Sequence, residues 1–173
     1  MKHQVSCPLL KAAEKREVDI VKLLIQNGAN VNRVSSGGRR PLHGAIFTQR
    51  CTDCIEIVKM LVKNGADVDA LDNSGRSPLH IAAEMGNAII ARFLIEHGCK
   101  VSIMSKIQGE ALHLAAQAKF GDEGGYIELI KLLISRGADV NRSTKWGFSY
   151  VISLFCFSTI LLTSNFQRFE DHS

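Results

Sequence analysis

Apolar positions in this chain fall in paired short blocks. Between Asp72 and Met104, Leu79, Ile81, Ala82 and Ala83 form one block. Ile89, Ile90, Phe93 and Leu94 form a second, with Gly86 between the two and Gly98 after them. Recurrence at three and four residues predicts two short amphipathic helices joined by a tight turn. A polar, turn-rich segment follows and then the pattern starts again. First blocks stand at CPLLKAA (Cys7 to Ala13), RPLHGAI (Arg40 to Ile46), SPLHIAA (Ser77 to Ala83) and EALHLAA (Glu110 to Ala116). The second blocks that follow them are VDIVKLLIQNGANVN, IEIVKMLVKNGADVD, AIIARFLIEHGCKVS and IELIKLLISRGADVN. Pro8 and Pro41 are 33 residues apart, Pro41 and Pro78 are 37 apart, and Pro78 and Ala111 are again 33 apart. A fixed period of this size is the signature of stacked repeats, in which each unit buries its apolar face against its neighbours.

Local signals place the ends of the helices. Pro8 stands where a first helix begins, a position whose N–H has no intrahelical partner in any case. Gly28, Gly65, Gly98 and Gly137 recur once per unit after the second helix, where a left-handed residue closes it. Ile20, Val21, Leu23, Leu24 and Ile25 supply the apolar side of the first unit's second helix. No polar helix precedes that unit, so its outer face is expected to show apolar surface, softened by Lys11, Lys15, Arg16 and Lys22. Two insertions lengthen the joins between helices. FTQRCTDC adds four residues to the second unit, and QAKFGDEGGYI adds six to the fourth, where Gly121, Gly124 and Gly125 predict loop rather than helix.

These lines resemble the ankyrin-repeat family, whose pattern is T-P-L-H-x-A, a second helix and G-A-D-V-N. The resemblance runs from about Cys7 to Gly147. It implies an all-α repeat, an ankyrin solenoid of stacked helix-turn-helix units joined by β-hairpin loops. The expected domain is 1–147, with repeats at about 7–36, 37–73, 74–106 and 107–145 and a tail at 148–173. The threonine of the motif survives only as Ser77, while Cys7, Arg40 and Glu110 replace it. The third repeat is therefore expected to be the most stable.

A fifth unit begins and stops. After GADVN, the proline place falls on Tyr150, and no charged residue occurs from Trp146 to Gln167. Three readings of this tail stand side by side. It lies at the short end of the roughly 17–25 residues a membrane-spanning helix needs, with Lys145 and Arg168 beside it. It equally suits an improvised cover for the last repeat, since terminal repeats need one. And a repeat broken off in mid-motif suits a truncated or alternatively spliced form of a longer ankyrin protein.

Composition narrows the partners. The chain has 173 residues, 46% hydrophobic and 22% charged, with net charge +4. Its Lys and Arg are mixed with Asp and Glu rather than gathered in a basic stripe, which argues against nucleic acid. Five cysteines at irregular spacing give no disulfide framework, and no apolar leader opens the chain. A cytoplasmic setting follows, with the nucleus as the other compartment and the membrane reached only through 146–167. A monomer is expected.

The candidate chemistry reduces to repeat structure. His43, His80 and His113 stand one per unit, so they cannot converge on a metal or a substrate; the resemblance gives them a local bond and a link to the next finger. Cys51 and Cys54 form a CxxC with no second pair. There is no phosphate-cradling loop and no nucleophile-and-base arrangement. No cofactor, no metal and no enzyme activity are expected. In place of chemistry, an extended surface that varies between repeats suits a protein partner. The varying finger positions are Arg33, Arg39 and Arg40, then Asp72, Asn73 and Arg76, then Met104, Lys106 and Gln108, with Trp146 in the last. A basic first finger beside an acidic second one, set by Asp67, Asp69 and Asp72, suggests a partner with a matching change of charge. The resemblance also permits hydroxylation of Asn32 and Asn141.

Overall fold

The computed structural model of the chain describes residues 7–47, 52–106, 109–117 and 123–143. Among them run eight helices: α1 (Pro8–Lys15), α2 (Val18–Gln26), α3 (Pro41–Ile46), α4 (Thr52–Lys63), α5 (Pro78–Glu84), α6 (Ala88–Glu96), α7 (Ala111–Gln117) and α8 (Glu123–Ser135). They pack as four antiparallel pairs in two layers. α1, α3, α5 and α7 touch in series, α2, α4, α6 and α8 do the same, and each first helix lies on its own second helix. One continuous apolar core runs along the seam, from Leu9 and Val21 through Ile57, Leu61, Ile90 and Leu94 to Leu129 and Leu133.

The ends of the helices show why these segments stop where they do. Pro8, Pro41 and Pro78 open α1, α3 and α5. Gly28, Gly65, Gly98 and Gly137 all have φ between +78° and +89°. At the first of them the Ala29 N–H reaches Leu24 O at 3.0 Å and the Gly28 N–H reaches Ile25 O at 3.0 Å. This double bond pattern satisfies the carbonyls a helix leaves open at its end.

Both insertions are more helical than their composition predicts. Thr52, Asp53 and Cys54 join α4, and Cys54 lies fully buried in the core. Gly124 and Gly125, expected in a loop, lie in the first turn of α8. Each glycine costs a helix roughly 1 kcal/mol relative to alanine. What holds this turn is Tyr126, whose ring fills the space above Gly86 and whose hydroxyl donates to Glu84 O at 3.4 Å. The remainder of the two insertions, 48–51 and 118–122, lies outside the described residues, as does Cys51.

Fingers project between the pairs. Each is a narrow turn closed by a backbone bond, Ser35 N–H to Arg39 O, Asp72 N–H to Arg76 O and Ser105 N–H to Gly109 O, at 2.8–3.0 Å, and the first two carry a second, Gly38 N–H to Ser35 O and Gly75 N–H to Asp72 O, at 2.9 Å. Only the third makes a β-bridge, and no strand forms among the described residues. None of the described helices is long and apolar enough to cross a membrane. The tail from 144 onward lies outside the described residues, and with it Trp146 and the candidate anchor.

Candidate functional site: the finger row

The finger row is built by the histidines. Each first-helix imidazole is buried and held by two backbone groups. Nδ1 of His43 accepts the Arg40 N–H at 3.2 Å, while Nε2 reaches Arg76 O, in the next finger, at 3.3 Å. His80 repeats this with the Ser77 N–H at 3.1 Å and Gly109 O at 3.1 Å, and His113 with the Glu110 N–H at 3.2 Å and Arg142 O at 2.8 Å. A ring nitrogen that accepts an N–H carries no proton, so in all three the proton sits on Nε2 and is donated to the carbonyl. Burial pushes the His43 and His80 imidazoles below the ordinary 6.5, against the upward pull of the carbonyls and of Asp72. No cluster of metal-binding side chains forms among the described residues.

At the opposite corner of the first two of these junctions the helix ends are tied as well. Asn32 donates from Nδ2 to Gly65 O at 2.8 Å and accepts the Asp67 N–H on Oδ1 at 2.9 Å. Its counterpart in the next unit, Asp69, accepts the Lys100 N–H at 2.9 Å but has no donor to offer. Burial, followed by the Asp69 carboxylate, pushes the neighbouring Cys99 thiol up. Finger tips bond directly to one another: Asn73 N–H to Gly37 O at 3.3 Å and Lys106 N–H to Ser74 O at 3.0 Å.

The charged finger residues are largely spent inside the stack. Asp72, expected at the surface, is 7% exposed and accepts the N–H groups of Ser74 and Arg76 at 2.9 Å each and Arg76 Nε at 3.0 Å. Burial opposes its ionisation, but those donors outweigh it and hold the carboxyl below the usual range. Asp72 is the staple of its own turn. Arg39 pairs with Glu14 at 2.8 Å and lies over the Phe47 ring. Arg40 pairs with Asp67 at 2.8 Å, and Arg76 reaches Glu84 at 3.4 Å. The contrast of a basic first finger and an acidic second one is thus a clamp between them, since Arg40 and Asp67 neutralise each other across the junction. Glu110, in the place of the motif threonine, is buried and bonds Arg142 at 2.7 Å.

What remains outward is different. Arg33 is exposed, without an ion pair among the described residues; Asn73 and Lys106 are exposed at the tips, where Asn73 Nδ2 donates to Ser36 O at 3.3 Å and Lys106 Nζ to Asn73 O at 2.9 Å. Val34 and Leu71 occupy the same register in the first and second fingers and are 47% and 48% exposed; Met104, half-buried, takes that place in the third. The sequence reading missed Val34 and Leu71 because single apolar residues in a turn carry no periodic signal. Gln108 lies outside the described residues.

Family comparison agrees with this geometry. The model for ankyrin repeats in three copies matches residues 2–72 and again 49–144. The chain belongs to the ankyrin-repeat family. Among curated proteins none matches it. Ankyrin repeats are in general protein–protein interaction modules. Of the two candidate hydroxylation sites in the stack, Asn32 is half-buried and its amide is engaged at both ends. Asn141 is exposed, and its side chain makes no bond among the described residues.

Proposed function

We propose that this chain is an adaptor that holds a partner protein along its finger row, with no catalysis of its own. One observation carries the reading: the first two fingers expose an apolar side chain at one register, Val34 and Leu71, with the half-buried Met104 in that place in the third, flanked by Arg33, Asn73 and Lys106. Arg39, Arg40 and Arg76 support the row from beneath through their ion pairs. Apolar anchors ringed by polar groups are where binding energy concentrates at protein interfaces. The partner is accordingly held by apolar contact, with the two outward cations setting its approach. The repeat domain at 1–147 acts as one unit in this reading, in the cytosol or nucleus.

The test is site-specific cross-linking. A photoreactive residue at position 71 of the full chain should trap partner proteins in cells, and the same residue at Lys59, exposed on α4, should not. Val34→Asp with Leu71→Asp should abolish trapping from position 106 while leaving the melting temperature unchanged. Equal trapping from positions 59 and 71 would sink the proposal.

A further inference from the structure

The finger row is not the only surface this stack leaves open. Corresponding positions can be compared across the four second helices. Ile20 in α2 aligns with Ile57, Ile90 and Leu129; it is 46% exposed, and they are 0%, 1% and 0% exposed. Leu24 is only half-buried, while Leu61, Leu94 and Leu133 are fully buried. Leu23 is 59% exposed, where Met60 and Phe93 are half-buried and Leu132 is 6% exposed. The first helices behave alike: Pro8 is exposed, whereas Pro41, Pro78 and Ala111 are buried. In α4, α6 and α8 the covering element is the second helix of the preceding unit.

The open face departs from its internal counterparts in one further way. Lys11 aligns with Gly44, Ile81 and Leu114, all buried. It stands one helical turn from Lys15, and neither makes an ion pair among the described residues. One half of the face is therefore aliphatic, on α2, and the other half is cationic, on α1.

We propose that this end face is a second docking surface, for a partner's amphipathic helix that lays an aliphatic stripe on Ile20, Leu23 and Leu24 and sets carboxylates one turn apart against Lys11 and Lys15. Three internal junctions of the same molecule show that this register accepts a helix. The two lysines select which helix, because an aliphatic helix without carboxylates would leave them covered and unpaired. A second copy is a poor occupant. The same face on another chain brings the same two lysines, and α8 at the far end leaves only Ile134 exposed among its described large apolar residues.

The probe is a synthetic helix of about 18 residues with leucines at i, i+3, i+4 and i+7 and two glutamates one turn apart on the adjoining flank. Fluorescence anisotropy should show it binding the full chain at low salt. Leu23→Glu should weaken binding about tenfold, and Lys11→Glu with Lys15→Glu by a similar factor, the size expected for a central contact or a charge reversal. A peptide with lysines in place of the glutamates should bind that doubly acidic chain and not the unaltered one. Such a swap cannot arise from misfolding. The proposal fails if neither peptide binds, or if Leu23→Glu leaves binding unchanged. It also fails if Leu23→Glu lowers the melting temperature of the unliganded chain by many degrees, because the face would then be covered by the chain itself. Binding to anionic phospholipid vesicles but to neither peptide would likewise overturn it in favour of a membrane.

Discussion

The side-chain amide of Asn32 spans a repeat junction, donating to Gly65 O at 2.8 Å while its oxygen accepts the Asp67 N–H at 2.9 Å. Asp69, one unit later, keeps only the accepting half of that bridge. Asp69→Asn should therefore gain the missing donor to Gly98 O and stabilise the chain by about 0.5–1.5 kcal/mol, the net value of one such bond. Asn32→Asp should cost about as much. Urea midpoints for the two variants decide it, and equal signs would refute the comparison.

Acid should loosen the stack through its histidines. His43 and His80 are held neutral by burial, with folded pKa values below 6.5. The unfolded chain binds protons at 6.5 and the folded chain only at lower pH. Stability is therefore intact above 6.5 and falls as pH drops below it, by up to about 1.4 kcal/mol per pH unit for each ring. Asp72 acts lower: its contribution is whole above 3.8 and is lost as pH falls from there through its depressed folded value. Denaturation at pH 7.5 and 5.5 should show the loss, and His43→Gln with His80→Gln should flatten it. A midpoint that does not move between those pH values would refute the account.

Asp72→Ala should destabilise the protein by about 1–3 kcal/mol, since it leaves two part-buried N–H groups and the Arg76 guanidinium without their acceptor. An exposed partner-binding carboxylate would cost nothing measurable. Thermal melting separates the two roles.

Two glycines with similar backbone should respond differently to alanine. Gly28, at φ +78°, has open space where a Cβ would go, so Gly28→Ala should lose only the left-handed penalty of about 1–2 kcal/mol. Gly86, at φ +64°, lies under the Tyr126 ring. Gly86→Ala should cost clearly more and shift the tyrosine fluorescence, because the ring must move. Equal losses would remove Tyr126 from the explanation of how α8 begins.

The repeat, the caps and the histidine links were legible because each depends on residues a fixed distance apart. Pro41 and His43, or Leu24 and Gly28, carry their roles in local spacing. Legibility fails where a role depends on which way a side chain turns. Asp72 and Leu71 are neighbours with opposite fates, one folded beneath its turn and the other outward, and charge alone ranks them the wrong way round. Gly124 and Gly125 mislead for a related reason: their local preference is overruled by a tyrosine meeting a glycine forty residues earlier in the chain. The first finger's arginines read as a basic patch until Glu14 and Asp67 are seen against them.

The two junctions that join the first three fingers are each fastened at two separated corners, by a histidine at the finger base and by Asn32 or Asp69 at the helix end. A joint pinned at one point is a hinge, whereas one pinned at two resists swivelling as well as stretching. The row of Val34, Leu71 and Met104 therefore behaves as a ruler with fixed divisions. A partner that matches its first two marks meets the third without the stack having to bend.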